Sequence, residues 1–313
     1  MPPADPFSLR ILVFHHVDGG IARYKVEKGQ IRAQEWICRT QGHWYYRRAK
    51  ISPDGRWLYM LFHEDTVAIN LASRKWYWLT RSSQARQQGI NGLYDLSWSP
   101  NSRHLLGGQA GGGMLPDLVL FTLSPVRVRL LARGNIAGYG WYPDSEAIWY
   151  AVKKGARKEE VWYRRHLRQN RPVPLSRQEQ DKICNDWDFL PAAHRYNLYL
   201  AWEIRSFPYT ADITVRVLNH WFADNTPAFV QTRQGEVYRL SPPSTVKYPE
   251  VRDISSDKKW ALVYSDGGDY YAVHIATNQW ELVLRGKVIQ QLDDVIRVEF
   301  LETARLLTGG VNG

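Results

Sequence analysis

The feature that most constrains this fold is a short corner that returns about every forty-five residues along the chain. In its clearest copy a Ser-Pro-Asp-Gly turn leads at once into an apolar and aromatic run. The prolines of the four clearest copies are separated by 47, 43 and 48 residues. Those copies are ISPDGRWLYML (51–61), WSPNSRHLLGG (98–108), WYPDSEAIWYA (141–151) and FLPAAHRYNLYL (189–200), and weaker echoes lacking proline at that position are WFADNTPAFV (221–230), ISSDKKWALVY (254–264) and FLETARLLTGG (300–310).

Turn chemistry explains the first corner. Pro53 sets its own φ near −65°, Asp54 bonds back to local amides, and Gly55 accepts the conformation that closes a type I turn. The segment is therefore predicted to be a strand-turn-strand corner. We expect Trp57 and Trp260, which each follow a corner, to be buried between neighbouring sheets.

A repeat in the forties that contains strands is typical of propeller blades rather than helical solenoids. After the first corner, the runs RWLYMLFH, TVAINLAS, RKWYWLTR and GLYDLSW are rich in β-branched and aromatic residues and are separated by turn residues. No helical stripe is sustained over three turns. The repeat therefore predicts one four-stranded blade per unit and an all-β fold.

The two ends of the chain complement each other. Three strands are predicted near the N-terminus, in SLRILVFHH (8–16), IARYKVEKG (21–29) and IRAQEWICRT (31–40), and they lack an innermost partner. DDVIRVEF (293–300) reads as an innermost strand without a blade. Joining the termini in one blade would close the ring and remove exposed edges. We expect a single β-propeller domain over 1–313, with seven four-stranded blades and with six or eight left open.

The corners resemble the Ser-Pro-Asp-Gly repeat of the TolB-like, WD40-like β-propeller family. The residues that carry the resemblance are ISPDGRWLYML, with WSPNSRHLL and WYPDSEAIWY behind it. The resemblance covers nearly the whole chain and implies the propeller fold. It also implies a choice of roles, because such propellers serve as docking platforms, as lids of peptidases or as sugar lyases.

The sequence offers no catalytic, cofactor-binding or metal-ligating residues that we would assign, and we expect no cofactor. There is no GxSxG nucleophile elbow and no hydrolase domain. His15 and His16 are adjacent, but neighbours on a strand point to opposite faces and cannot easily share a metal. The two cysteines, Cys38 and Cys184, lie far apart with no CxxC.

Positive charge is concentrated in one stretch. The formal net charge is +10, and residues 151–182 carry ten Lys and Arg against four Asp and Glu. Within this stretch VWYRRHLRQNRPVP places arginines beside aromatic rings, a combination that can bind phosphate, acidic protein or single-stranded nucleic acid. The alternative is an ordinary outer strand with aromatics packed inside and arginines solvated. The candidate partner-binding residues are Trp162, Tyr163, Arg164, Arg165, His166, Arg168 and Arg171.

These observations favour a noncatalytic propeller scaffold that docks a protein partner, as a subunit of a larger assembly. The alternative is a ligand-binding or catalytic propeller, a TolB-like lyase or hydrolase, with its site in the central channel. An anionic surface or nucleic acid could also bind the basic 153–177 stretch. The apolar run at 11–14 is too short for a signal or a membrane span. We therefore expect a cytoplasmic protein with no membrane partner, or a periplasmic one if a signal was removed.

Overall fold

The chain forms two compact units, which are described separately: residues 1–44 with 189–313, and residues 45–188. In the described part of the chain, the strands of both units have ten residues or fewer and pair antiparallel, and the helices have eight residues or fewer. The computed structural model describes residues 7–17, 19–39, 48–62, 65–90, 92–109, 117–142, 144–154, 159–169, 171–184, 201–210, 213–220, 227–231, 236–255 and 257–301.

The first unit begins with three strands that run consecutively in one sheet. They are β1 (Leu9–His15), β2 (Gly20–Glu27) and β3 (Gln30–Arg39).

The second unit consists of three four-stranded sheets, each made of strands consecutive in sequence. The first sheet holds β4 (Arg48–Ile51), β5 (Trp57–Phe62), β6 (Asp65–Asn70) and β7 (Lys75–Trp78), and α1 (Ser83–Gln87) follows it. The second sheet holds β8 (Leu93–Trp98), β9 (His104–Gln109), β10 (Asp117–Leu123) and β11 (Val126–Ala132). The third sheet holds β12 (Ile136–Trp141), β13 (Ala147–Lys154), β14 (Glu159–His166) and β15 (Val173–Pro174), and α2 (Arg177–Cys184) follows it.

The remainder of the first unit adds two four-stranded sheets and one further strand. The first of these sheets holds β16 (Ala201–Thr210), β17 (Ile213–His220), β18 (Ala228–Gln231) and β19 (Val237–Leu240). The second holds β20 (Glu250–Ile254), β21 (Trp260–Tyr264), β22 (Tyr270–His274) and β23 (Gln279–Leu284). A short helix, α3 (Gly286–Ile289), leads to β24 (Asp294–Phe300).

The two ends of the chain share one sheet, as the sequence predicts. β24 pairs antiparallel with β1, through Leu9 opposite Phe300 and Ile11 opposite Val298, and the sheet order is β24-β1-β2-β3. β24 thus takes the first position of the sheet, which β4, β8, β12, β16 and β20 take in the others.

The described residues form six four-stranded sheets, where the repeat count predicts seven. That count rests partly on the corners at 189–200, 221–230 and 300–310. These corners lie wholly or largely outside the described residues. The all-β class and the four-stranded antiparallel sheets are confirmed.

The first corner has the hydrogen bonds that its residues predict. Gly55 N donates to Ser52 O (2.9 Å), which closes the turn, and Gly55 has a φ of 68°. The Ser52 hydroxyl donates to Asp54 Oδ1 (2.6 Å) and accepts from Trp57 N (2.9 Å), while Asp54 Oδ1 also accepts from Arg56 N (3.0 Å). Two side chains therefore satisfy the amides that the turn leaves unpaired.

Later corners keep this geometry without the glycine. Ser102, Ser145 and Lys258 stand at the position of Gly55 and have φ values of 61°, 60° and 60°. The left-handed conformation is unfavourable for these residues, but the two serines gain a bond in return. The Ser102 hydroxyl accepts from Asp54 N (2.9 Å) and that of Ser145 from Asn101 N (3.0 Å), so successive corners of the second unit are linked.

Side chains alternate along each strand, so the two faces of a sheet pack into different hydrophobic clusters. In the β8–β11 sheet, Leu105 and Phe121 pack with residues of the β4–β7 sheet, whereas Leu106 and Leu120 pack with residues of the β12–β15 sheet. Successive side chains point to opposite faces, so this sheet is buried on both sides. The expected burial of Trp57 and Trp260 is only partly right. Both indoles are half-buried because each packs at the margin of its cluster, on Tyr77 and Phe7 respectively.

Candidate functional site

β14 carries most of the residues predicted to bind a partner. It is the third strand of its sheet, with Arg165 opposite Ile148 and Arg164 opposite Trp149 of β13. Because side chains alternate, Trp162, Arg164 and His166 lie on one face, and Tyr163 and Arg165 lie on the other. Arg164 and Arg165 therefore face opposite sides of the sheet.

The first face is occupied by contacts within the chain. The indole of Trp162 stacks on that of Trp149, with ring centroids 5.0 Å apart and planes at 19°. Arg164 Nη1 lies 3.9 Å from Glu179 Oε1 of α2, and both side chains are partly exposed. Glu179 also accepts from Ser176 N and Oγ (both 2.9 Å) in a capping box, and these bonds hold its pKa below the usual value. Arg164 therefore faces a fixed carboxylate.

The second face is turned inward. Tyr163 stacks on Tyr150 at 5.5 Å, and its hydroxyl accepts a hydrogen bond from Lys154 Nζ (2.5 Å). Arg165 is only 8% exposed, and its Nη1 donates to Leu131 O (2.6 Å) of the neighbouring sheet. Its Nε has no hydrogen-bond partner among the described residues. Arg165 is thus a buried cation rather than part of a solvated patch.

The remaining predicted residues follow the strand. His166 is half-buried and accepts through its carbonyl from Gln169 N (3.0 Å) in the turn that follows. The Arg168 side chain is 85% exposed, and its Nε lies 3.5 Å from Glu146 Oε2. Arg171 is exposed. Exposed positive charge therefore lies just beyond the end of β14.

A cleft with a volume of 460 Å³ opens between the β8–β11 and β12–β15 sheets, beside this end of β14. We name it the arginine cleft after the four arginines that line it together with a single acidic residue, Glu146. Its lining is Gln84, Asn101, Arg103, His104, Leu120, Thr122, Arg127, Val128, Arg129, Ser145, Glu146, Leu167 and Arg168.

The strand pattern places these arginines. Arg127 and Arg129 alternate along β11 and therefore share a face. Arg127 lies opposite Thr122 of β10, which in turn lies opposite His104 of β9. Arg103 precedes β9 in the corner. Residues from three segments thus line the opening of the arginine cleft, above the leucines of the core.

Helix α1 fixes the edge of β11. Gln84 Oε1 accepts from Val128 N (3.1 Å), and Gln88 Oε1 accepts from Leu130 N (2.8 Å) while its Nε2 donates to Val128 O (3.2 Å). These amide side chains replace the missing neighbour strand and cover the edge. The backbone that carries Arg127 and Arg129 is therefore held in place.

The charges of the arginine cleft are unbalanced. Glu146 is already paired with Arg168, and Arg103, Arg127 and Arg129 make no ion pair with any residue that the structure describes. Arg129 is half-buried, and its Nη2 donates to Leu167 O (2.9 Å). Burial, followed by the charge of Arg165, lowers the pKa of Arg129. The site can therefore stabilise an anion.

His104 adds an uncharged ring to the cleft. Its Nδ1 lies 3.1 Å from Thr122 Oγ1, and its ring stacks on Trp141 with centroids 6.0 Å apart. Burial, followed by the charge of Arg103, lowers the pKa of His104 below the 6.5 that is usual for histidine. The ring is neutral at pH 7, so it does not add to the positive charge.

Sequence reasoning found the basic stretch after 151 but missed Arg103, Arg127 and Arg129. These residues are separated along the chain and do not form a run of charge. The alternation in VRVRL (126–130) was an available signal, since it places two arginines on one strand face. Their approach to Arg168 depends on how two sheets pack, which no local pattern specifies.

A group of three hydrogen-bonded side chains lies in the first unit. His15 Nδ1 is 2.7 Å from Asp293 Oδ2, and His15 Nε2 is 2.8 Å from the hydroxyl of Tyr24, which is buried. These three side chains connect β1, β2 and the residue that precedes β24.

In the described part of the polypeptide, no three His, Cys, Asp or Glu side chains are grouped as a metal site would require. None of the described helices combines the length and apolar character that crossing a bilayer requires.

No protein-family model matches the chain, and no curated protein matches its sequence. Solved structures do resemble it, and they include TolB and other β-propeller proteins, as the corner sequences predict. TolB from Acinetobacter baumannii is 12% identical, with 96% of this chain and 68% of that chain covered and a TM-score of 0.48. The β-propeller domain of Cps50 (Swd1) from Myceliophteria thermophila is 14% identical, covering 76% and 71%, with a TM-score of 0.35.

An oligogalacturonate lyase from Vibrio parahaemolyticus is 9% identical, covering 90% of this chain and 80% of that chain, with a TM-score of 0.42. At these identities the likenesses say nothing about what this chain binds.

Proposed function

We propose that the chain is a noncatalytic scaffold that docks an acidic segment of a protein partner in the arginine cleft, as a subunit of a larger assembly. The observation that carries this proposal is a group of three arginines, Arg103, Arg127 and Arg129, none of which makes an ion pair with a described residue; Glu146, the one acidic residue of the lining, pairs with Arg168. Unpaired cations in a concave site attract and orient an anionic partner. Arg168 and Arg171 extend the positive charge beyond the mouth.

The fold suits a scaffold. We propose that the sheets are blades of a single β-propeller over 1–313 and that the terminal strands, which share one sheet, close its ring. β24 would then fill the first position of the blade that β1, β2 and β3 begin, so neither chain end would leave a strand without a neighbour there. A closed ring would present a fixed surface to a partner.

A protein partner is favoured over single-stranded nucleic acid by the state of the aromatic rings. Binding of single strands combines positive charge with aromatic faces on which bases stack. Trp162 and Tyr163, the rings within the basic stretch, already stack on Trp149 and Tyr150. The arginine cleft thus offers charge without a free stacking platform nearby in β14.

The test is capture of the partner by tagged full-length protein from cells of its source, with identification by mass spectrometry. We expect wild type to retain a protein that the Arg127→Glu, Arg168→Glu double variant loses, with retention weakening as salt is raised. The matched control is Lys75→Glu, Arg177→Glu, which changes the charge equally at exposed positions away from the cleft lining. Equal retention of the same proteins by all three would contradict the proposal.

A further inference from the structure

The arginine cleft has more positive charge than a single carboxylate would balance. Three guanidinium groups converge there, and the one acidic side chain of the lining already faces Arg168. His104 is neutral and contributes no charge. A protein carboxylate carries one negative charge and two oxygens, which one arginine fork can occupy fully. Two of the three arginines would then remain without an anion.

The arginines are positioned at different depths. Arg127 and Arg103 are exposed at the mouth, whereas Arg129 is half-buried and anchored through Leu167 O (2.9 Å). This anchor uses one of the five donors of the guanidinium and leaves the others for a ligand. Arg165, buried and without an ion pair among the described residues, lies close enough to Arg129 to lower its pKa. Its charge makes the inner end of the cleft more positive.

Crowded cations of this kind are costly to desolvate, and a polyvalent anion offsets that cost better than a monovalent one. A phosphate monoester carries a charge of about −1.5 to −2 at pH 7 and three acceptor oxygens. Three oxygens match three guanidinium groups, two from one strand and one from a corner. A volume of 460 Å³ lies within the usual range of ligand pockets and admits a modified side chain.

We propose that the arginine cleft binds the phosphate group of a phosphorylated side chain on the protein partner. Arg103 and Arg127 receive the outer oxygens at the mouth, and Arg129 receives the innermost one. This inference rests on the proposed docking function, but it adds a condition to it: docking requires phosphorylation of the partner.

The first experiment measures binding of synthetic peptides to the full-length chain by fluorescence anisotropy. The probes are a degenerate peptide library around a central phosphoserine and the same library with serine or glutamate at that position. We expect the phosphoserine library to bind about tenfold or more tightly than the glutamate library. A phosphate monoester offers three charged acceptor oxygens and a carboxylate two, so the arginines can make more charge-assisted hydrogen bonds to phosphoserine. Equal binding of phosphoserine and glutamate libraries would overturn the inference.

Variants then locate the site. Arg127→Glu and Arg103→Glu should each weaken phosphoserine binding about tenfold or more, while Arg177→Glu should leave it unchanged. Arg127→Lys keeps the charge but removes the fork and should give an intermediate loss. Since Arg103 and Arg127 are exposed, these variants should melt like wild type. Full binding by Arg127→Glu, with a wild-type melting curve, would show that the phosphate binds elsewhere.

The pH dependence separates the two anions. A phosphate monoester gains its second charge with a pKa of about 6, so phosphoserine binding should strengthen from pH 5 to pH 7.5. Binding of the glutamate library should not follow this step. Absence of the step in the phosphoserine data would count against recognition of a dianion.

Two further arms distinguish this inference from the docking function. If the captured partner binds equally well before and after phosphatase treatment, docking in the cleft stands and the phosphate inference fails. If no protein depends on Arg127 and Arg168 for capture, both fail. A single-stranded oligonucleotide that displaces the phosphopeptide at equal ionic strength, and that itself needs Arg127, would show that the ligand is a nucleic-acid backbone instead.

Discussion

Three arginines of the first unit face carboxylates, whereas four arginines of the second unit make no ion pair among the described residues. In the first unit, Arg10 Nε donates to Glu299 Oε1 (2.5 Å), and Arg297 Nε lies 2.8 Å from Glu299 Oε2. Arg252 Nη2 lies 2.6 Å from Glu250 Oε2. In the second unit, Arg103, Arg127, Arg129 and Arg165 make no ion pair with described residues.

The difference separates arginines that hold the fold together from arginines that are available to a ligand. Glu299 is 3% exposed, so its two arginines balance a charge that could not otherwise be buried. Asp253, fully buried, accepts from Phe300 N (2.9 Å) and thereby joins β20 to β24. Arg103, Arg127, Arg129 and Arg165 have no such acceptor among the described residues. We infer that their charge is retained for binding rather than for stability.

The strongest test of this contrast is Glu299→Gln in the first unit. Removing one member of a buried ion pair leaves uncompensated charge, here on Arg10, and costs about 3–5 kcal/mol. Arg297 keeps a second carboxylate, because its Nη2 also lies 3.7 Å from Asp253 Oδ1. We expect the free energy of unfolding, measured by urea denaturation, to fall by that amount. The matched control is Glu281→Gln on the exposed side of β23, which should change it by less than about 0.5 kcal/mol. Equal urea midpoints for Glu299→Gln and Glu281→Gln would show that the ion pairs of Glu299 do not stabilise the first unit.

The next effect concerns alkaline pH and also lies in the first unit. Burial raises the pKa of Tyr270 to about 12 from 10.0. A raised pKa means that the stabilisation is present below pH 10 and is lost as pH rises toward 12, because the unfolded chain releases the proton first. Wild type should lose about 2–3 kcal/mol more than Tyr270→Phe over this interval. The reference is the difference in free energy of unfolding between wild type and Tyr270→Phe at pH 8. The same difference at pH 11.5 would contradict the raised pKa of Tyr270.

A direct comparison of the two kinds of arginine uses the same substitution in both units. Arg10→Met leaves buried Glu299 with only one of its arginines and should cost about 3 kcal/mol. Arg165→Met removes a buried cation that has no ion pair with a described residue, and it gives up one bond to Leu131 O, so it should change the free energy of unfolding by about 1 kcal/mol or less, in either direction. Equal losses for the two variants would show that Arg165 is as structural as Arg10.

Sequence alone predicted the parts of the fold that local chemistry determines. The corners form as expected because Ser52, Asp54 and Gly55 satisfy the turn themselves, and Ser255 and Asp257 repeat the arrangement without proline or glycine. The pairing of the two chain ends followed from a blade with a missing strand. The opposite directions of Arg164 and Arg165 followed from the period of a strand.

What the sequence could not supply is set by contacts between sheets. The burial of Arg165 depends on where Leu131 O of β11 lies, and the half-burial of Trp57 depends on where its core cluster ends. The arginine cleft combines a corner, a strand and a turn from two sheets. Charge density along the chain directs attention to β14 instead, where the rings and arginines are largely occupied.

The smallest expected effect is an acid sensitivity of the arginine cleft itself. Burial and Arg103 lower the pKa of His104, so its contribution to stability is complete above pH 6.5. As pH falls below 6.5, the unfolded chain takes up a proton that the folded chain resists, and stability falls. Thermal melts from pH 7 to pH 5 should show a larger loss for wild type than for His104→Asn.

A bound anion should reduce this loss, since negative charge beside His104 favours its protonated form. Inorganic phosphate should therefore narrow the gap between wild type and His104→Asn at pH 5.5, relative to sodium chloride at the same ionic strength. In Arg127→Glu, where the cleft has lost part of its attraction for anions, phosphate should have no such effect. If phosphate and chloride act alike on wild type, the charge on His104 is insensitive to anions, and Arg103, Arg127 and Arg129 do not concentrate anions in the arginine cleft.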